Sequence, residues 1–550
     1  MSGGDDMAGG ELFPNMSGSS GRYVLQTTQP QSENAVTESA RREPLSLLAS
    51  VFEQTAAANG RREAQEEPSS NTLAQFLAED NWLEQLRIWF GDRNLERLGA
   101  DARKAIVRQL QRDMAAIDVL VNKQLNTVLH HPDFQKLEAS WRGLAYMVRC
   151  RERFAEAPII VKVLNVSWTE LRNDIEGAIE FDQSQFFKKV YEEGLGTPGA
   201  DPFSALIVDF DIHPRPTREH PYDDIMILRG LSGTAAAAFS PLIINASPTM
   251  FSVDDYSELR PTTDYVALHE KLDYSTWRSF RESEDSRFVS MAMPRILMRT
   301  PYNRDNVEYC FGFPFEESIA SADDCLWGGA AFAMGEVLMR SFAESRWFTD
   351  IRGAMRGLET GGIVIGPASD EYSTERSGSA AKPLTDIVIG DDFERSLTRL
   401  GFMPLCACKD MPLSAFYSCP SVQKFKTYDK QEASSNAKLS SMMNYMLCVS
   451  RFAHYVKVLS RDQIGTCASP EQLETMLQDW LVNYITADPD ASPRIRAEKP
   501  LIEGQVKVRS IPGRAGEYRC EMHVAPHHEW DEMQATVRLD TRLIRPMDRR

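Results

Sequence analysis

The middle of the chain alternates between short apolar strands and longer helices, and this order constrains the fold more than any other feature. Strand patterns occupy residues 159–164, 205–210 and 242–246. Helical patterns at 167–187 and 223–239 separate them. Strands connected through helices form largely parallel sheets that those helices cover. The sequence therefore predicts an α/β region within a mixed α+β protein of several domains.

The rest of the chain divides into segments of different texture, because 550 residues are too many for one hydrophobic core. The first 70 residues are rich in Gly, Ser, Gln and Glu, which is typical of a segment that does not fold alone. We predict five regions: largely disordered 1–70, helical 71–150, α/β 151–400, helical 401–503 and β-stranded 504–550.

Three alternating strands are predicted at the C-terminal end. The apolar positions of the first two are Val506, Val508, Tyr518, Cys520, Met522 and Val524. Residues 535–543 form a third run. A two-stranded hairpin is marginal alone in water. The tail is therefore expected either to pack on its own domain or to pair, through an unpaired edge, with a strand of another chain.

A helix is predicted over residues 470–485, shortly before the tail. Ser469 and Pro470 form a favourable helix start, and an apolar stripe follows. Glu471, Glu474 and Asp479 fall on or beside the polar face. Such a face is either ordinary solvated surface or a contact for a partner, and the pattern allows both.

Charge and cysteine content argue against several classes of protein. A formal charge of −18 argues against binding to nucleic acid or an anionic membrane, because both need a basic surface. Neither a secretory signal nor a transmembrane insertion is expected. Nine scattered cysteines are typical of reduced thiols. We therefore predict a cytoplasmic protein.

Two motifs could serve an enzyme. Residues 194–199 have the spacing of a dinucleotide loop, but they follow a helical pattern and contain Pro198, so a plain turn is favoured. Asp209, Asp211 and His213 would share one face of an extended chain and could bind a metal with His220. Polar residues at a strand exit are the simpler interpretation. No catalytic residue, cofactor or metal is predicted.

The chain contains several long, uncommon strings. The first runs from His130 to Leu144. The others lie, in order, at 196–199, 326–333, 421–424, 450–455, 461–465 and 480–484. Together they resemble the large sheath subunit of bacterial type VI secretion systems. Long strings in one order are far more specific than the short motifs above, and the likeness covers most of the chain from about residue 100 to 543.

The resemblance implies a structural protein and not an enzyme. In that family the large subunit pairs with a small sheath subunit, and the heterodimers polymerise, in contact with a baseplate, as a helical sheath around an inner tube. Contraction drives the tube and its spike outward, and an AAA+ unfoldase then dismantles the sheath. A multi-domain, contractile-tail-sheath-like fold, similar to that of phage tail sheaths, is therefore expected in the bacterial cytoplasm.

The resemblance also assigns roles to the tail and the preceding helix. The first two tail strands match a segment that joins strands of neighbouring small subunits, so their six alternating residues become expected inter-subunit contacts. The helix at 470–485 resembles the element that lies toward the inner tube, which makes Glu471, Glu474 and Asp479 candidates for tube contact.

The alternative to a sheath subunit is a cytoplasmic α/β enzyme with a metal or nucleotide site.

Overall fold

The structure is a computed structural model, and it describes twelve stretches of the chain. They are residues 70–91, 102–218, 220–303, 313, 315–354, 360–369, 382–408, 411, 413–463, 469–488, 491–511 and 518–527. The predicted disordered segment up to residue 69 and the third tail strand at 535–543 lie outside these stretches. Two compact units are present, one ending at Gln124 and the other beginning at Leu125.

Helices and strands are numbered here in chain order. The helices are α1 Ser70–Ala78, α2 Trp82–Phe90, α3 Ala102–Leu129, α4 Pro132–Arg153, α5 Trp168–Gly177, α6 Asp224–Ala238, α7 Tyr265–His269, α8 Ser275–Arg281, α9 Ala331–Ser345, α10 Asp391–Arg399, α11 Gln431–Ser440, α12 Met443–Asp462, α13 Pro470–Val482 and α14 Pro493–Glu498. The strands are β1 Leu206–Ile212, β2 Leu242–Ala246, β3 Val289–Met293, β4 Ile296–Leu297, β5 Trp327–Gly328, β6 Ile363–Ile365, β7 Phe402–Ala407, β8 Leu413–Phe416, β9 Leu501–Ser510 and β10 Tyr518–Pro526.

The described residues of the first unit, 70–91 and 102–124, are mainly helical. The side chain of Asn81 caps α2 by accepting from the amide of Leu83. Trp89 lies 5.3 Å from the ring of Phe76 and donates from Nε1 to Oδ2 of Asp113 over 2.9 Å. This bond satisfies a carboxylate that is buried on α3.

The second unit is built on a six-stranded sheet in the order β1-β2-β3-β7-β8-β6. The first four strands run parallel, and β7, β8 and β6 pair antiparallel. The largely parallel sheet predicted from the strand and helix order is therefore confirmed, with strands at two of the three predicted places.

The predicted strand at 159–164 is wrong, because these residues form neither helix nor strand and join no ladder. Ile159 and Val161 pack against the core, whereas Ile160, Val163 and Leu164 are exposed. An alternating pattern reports which side chains meet the core. It does not report whether the backbone pairs.

The helical pattern predicted at 167–187 is present only in part. Helix α5 ends at Gly177, and a 3₁₀ turn at Phe181–Gln183 follows. The helical turn Gln185–Phe187 then leads into a π-helix, Lys188–Gly196. A continuous apolar period therefore overestimated the length of one helix.

Helices α4 and α9 pack closely against each other over the sheet. A Cβ atom on Gly143 would lie 2.4 Å from the ring of Phe332, so only glycine allows this approach. Glu336 is fully buried on α9 and pairs with Arg153 at 3.1 Å. The string from His130 to Leu144 thus owes part of its unusual composition to this packing.

A second, smaller core joins α12 and α13 to the tail strands. Its central contact is a stacked pair, Trp347 and Phe452, whose ring centroids are 4.2 Å apart. The other buried members are Cys448, Val456, Leu473, Leu477, Leu481, Leu501, Val506 and Val508. The tail strands therefore belong to a packed layer, which gives a two-stranded ribbon the support it lacks alone.

No helix among the described residues combines the length and the apolar content that a membrane crossing requires.

Candidate assembly surface

Helix α13 presents one face to the second core and the other to solvent. Ser469 caps it by accepting from the amide of Gln472, and Pro470 occupies the first turn, as predicted. The helix ends at Val482, three residues before the predicted end. Beyond it, Ile485 bridges to Leu501, so the end of the predicted helix instead begins the connection to the ribbon.

Strands β9 and β10 form an antiparallel ribbon of regular register from Tyr518 to Val524. Val506 lies opposite Met522, and Val508 lies opposite Cys520. Val506 and Val508 are buried, while Met522 and Val524 are half-buried against the same core. Cys520 is exposed.

Side chains of α13 cover the outer edge of β9. Oε1 of Gln478 accepts from the amide of Val506 over 2.8 Å, and its Nε2 donates to the carbonyl of Gly504 over 3.2 Å. Oε2 of Glu474 accepts from the amide of Val508 over 2.8 Å. Three polar backbone groups of this edge are thereby satisfied within the subunit.

The register then determines which way the backbone of β10 points. In an antiparallel pair, a residue whose amide faces outward lies opposite another residue whose amide faces outward. The amides of Val506 and Val508 face α13, so those of Met522 and Cys520 face away from β9. In the described part of the chain no strand pairs with this outer edge of β10.

The three candidate tube contacts occupy different surroundings. Glu471 and Asp479 are exposed and line a shallow open groove with Gln472, Thr475 and Met476. Hydrogen bonds from its own amide and from Ser469 lower the pKa of Glu471, so it is ionised at neutral pH. Glu474 is half-buried and is engaged by β9. The sequence placed all three on the polar side without showing this difference.

The dinucleotide-like spacing at residues 194–199 falls at the end of the π-helix. Arg461 donates to the carbonyls of Leu195 and Thr197. The loop therefore presents carbonyl oxygens to a cation, which is the opposite of a phosphate cradle. This outcome agrees with the favoured interpretation as a turn.

The triad of Asp209, Asp211 and His213 is not assembled as one face. A bulge shifts the register between Val208 and Asp211, and Asp209 accepts a hydrogen bond from Ser140. His213 instead meets His220 and Asp224, and Asp211 is exposed. Asp224 was missed because it precedes an apolar helix, where an acidic residue is ordinary dipole compensation.

Two protein-family models match this chain. The VipB family model described as the EvpB/VC_A0108 tail sheath N-terminal domain matches residues 111–423, more than half of the chain. A second model, the tail sheath gpW/gp25-like domain of the same family, matches residues 432–543. This chain belongs to the VipB family of tail sheath proteins.

A curated relative of this chain is a sheath protein of a secretion system. The type VI secretion system sheath protein TssC1 of Pseudomonas aeruginosa is 35% identical over 444 residues, which are 80% of this chain and 86% of that protein. The resemblance inferred from the sequence is thus confirmed, and the chain is a structural subunit of a type VI secretion sheath. The family is a structural one and not a known enzyme family.

A likeness to a solved structure is much weaker. A chain of the anti-feeding prophage baseplate superposes with a TM-score of 0.32 and 8% identity, over 58% of this chain and 66% of that chain.

Proposed function

We propose that this sheath subunit polymerises by accepting a strand from a neighbouring subunit on the outer edge of β10. The observation that carries the proposal is the difference between the two ribbon edges. Gln478 and Glu474 occupy the edge of β9, whereas the amides of Cys520 and Met522 point outward from β10. Main-chain bonds along such an edge provide affinity without a deep pocket.

The same proposal assigns Val506 and Val508 a supporting role. Their side chains fill the second core, and their amides bond to α13. They hold the ribbon in place while Tyr518, Cys520, Met522 and Val524 carry the direct strand contact. The ribbon is then a firm template that a neighbour completes.

The partner of this sheath subunit is a small sheath subunit, with which it forms the heterodimer that polymerises. An exposed apolar stripe on α4 supports such a partner. Phe134, Leu137, Trp141 and Val148 lie on one face of the helix and are 37%, 56%, 65% and 41% exposed. Contiguous apolar surface of this kind is typical of protein interaction sites.

The sheath surrounds an inner tube, and Glu471 and Asp479 form the tube-facing contact. Both carboxylates are exposed on the outer side of α13. Exposed ion pairs are individually weak, which suits a surface that must release the tube during contraction. Contraction propels the tube from the bacterial cytoplasm, a baseplate anchors the sheath, and an AAA+ unfoldase recycles it. The subunit has no catalytic activity of its own.

A single proline tests the strand contact. Cys520→Pro removes an amide that points away from β9, and proline is tolerated where the amide of an edge strand faces outward. When this chain is co-expressed with the small subunit, Cys520→Pro should form no sheath tubules. Cys520→Ala keeps the amide and should still form them. Both variants should stay folded by circular dichroism. Normal tubules from a folded Cys520→Pro would refute the contact.

A further inference from the structure

A cluster of two histidines and one aspartate lies at the exit of β1, remote in sequence from the ribbon. Nδ1 of His213 is 3.0 Å from Oδ2 of Asp224, and Nε2 of His220 is 2.7 Å from Oδ1 of the same carboxylate. The two imidazole rings stack with their centroids 4.2 Å apart. Two imidazole nitrogens thus meet one carboxylate, each beside a different oxygen.

Asp224 is also held in position by groups other than the two imidazole rings. It is 1% exposed at the start of α6, and its Oδ1 accepts from Nε1 of Trp168 over 2.7 Å. Its Oδ2 accepts from the amide of His213 over 2.9 Å.

The donor set is one that suits a transition metal. We propose that His213, His220 and Asp224 form a structural binding site for a divalent cation of the zinc class, with Nδ1, Nε2 and one carboxylate oxygen as ligands. Two imidazoles and one carboxylate form a common protein site for zinc. The three ligand atoms all lie within 4.8 Å of one another.

The two rings contact different oxygens of the carboxylate, at 3.0 Å from Oδ2 and 2.7 Å from Oδ1. Ligands of a tetrahedral zinc ion are about 3.3 Å apart when each bond is near 2.05 Å. One ligand atom from each residue lies within 4.8 Å of the other two, so one ring must move toward the oxygen that the other ring contacts. The cation would replace the two ring protons that now face the carboxylate, and each neutral ring would carry its proton on its other nitrogen. Both rings are about one-fifth to one-quarter exposed, so water can exchange those protons and can occupy the fourth position.

The surroundings supply the outer support that metal sites need. Trp168 bonds Oδ1 of Asp224 and the amide of His213 bonds Oδ2, so each carboxylate oxygen has a protein donor besides a ring. His213 follows β1, His220 lies in the connection, and Asp224 begins α6. A bound cation would therefore fasten the end of β1 to the helix that leads to β2.

Titration of the purified full chain with Zn²⁺ and Co²⁺ tests the site. We expect one equivalent to bind, with the visible spectrum of four- or five-coordinate Co²⁺, and His220→Ala to weaken affinity by at least about tenfold. Trp168→Phe keeps the ring packing and removes one bond to Asp224, so it should weaken affinity by roughly 10- to 100-fold. His131→Ala is the matched control, because His131 is the N-cap residue of α4 and its ring is exposed.

Each outcome has a defined meaning. Equal affinity in the wild type, His220→Ala and His131→Ala would overturn the site. If His220→Ala does not fold, hydrogen exchange of the wild type decides. Zn²⁺ must then slow exchange at the end of β1 and the start of α6 relative to a chelator-treated sample, and an unchanged rate overturns the site.

Discussion

The cover of β9 by α13 is the contact on which the assembly proposal depends, and Gln478→Met tests it. Methionine keeps the length and apolar stem of glutamine but removes both hydrogen bonds to the ribbon, to the amide of Val506 and the carbonyl of Gly504. A net hydrogen bond contributes about 1 kcal/mol, so the loss is about 2 kcal/mol of local stability. That corresponds to a roughly 30-fold increase in local opening.

Hydrogen exchange measured on peptides from residues 501–510 is the assay, because exchange of protected amides follows local opening. Exchange in this stretch should accelerate by about that factor, while the peptides of the parallel sheet remain unchanged. Gln472→Met is the matched control, the same substitution on the exposed side of α13. Unchanged exchange at 501–510 in a folded Gln478→Met would mean that α13 does not protect the edge, and both ribbon edges would then be equivalent.

Two further predictions concern inner-tube binding and the pH dependence of stability. The double variant Glu471→Lys and Asp479→Lys should reduce co-sedimentation of the inner tube with the sheath several-fold. The control Glu192→Lys changes an exposed glutamate on the π-helix and should leave co-sedimentation unchanged. Equal reduction by the double variant and the control would indicate a general charge effect. Burial lowers the pKa of His454 to about 4, although its bond to the carbonyl of Ala238 opposes the shift. The unfolded chain then binds the proton first, so unfolding free energy should fall as pH drops below about 6.5, by about 2 kcal/mol at pH 5, and continue to fall toward pH 4. Urea unfolding of His454→Gln should lack this component of the slope, and an identical slope would contradict the buried, neutral state.

The predicted secondary structure was correct where one local signal sufficed. Residues 205–210 and 242–246 became β1 and β2, because a helix between two apolar runs leaves few alternatives to parallel pairing. The strand predicted at 159–164 is wrong for a physical reason. Ile159 and Val161 pack against the core, but the backbone of this stretch joins no ladder. Pairing requires a neighbour at the right distance, and no local pattern encodes that neighbour.

The candidate sites show the same division. The Ser469 cap and the buried stripe of α13 follow from local spacing, and both are present. Which acidic residue of that helix meets solvent depends on the rotation of the helix relative to β9. In the structure Glu474 accepts a hydrogen bond from the ribbon, whereas Glu471 and Asp479 are exposed.

The sequence by itself determined the family, the strands β1 and β2 with the helix between them, and the alternating pattern of β9 and β10, because these depend on period and on long characteristic strings. The tertiary structure decided which edge of the ribbon is covered and which residues converge around Asp224. Both depend on contacts between residues far apart in the chain or on opposite sides of a turn. Hydrogen-bonding direction within a ladder, and the meeting of side chains from separate elements, exist only once the chain has folded.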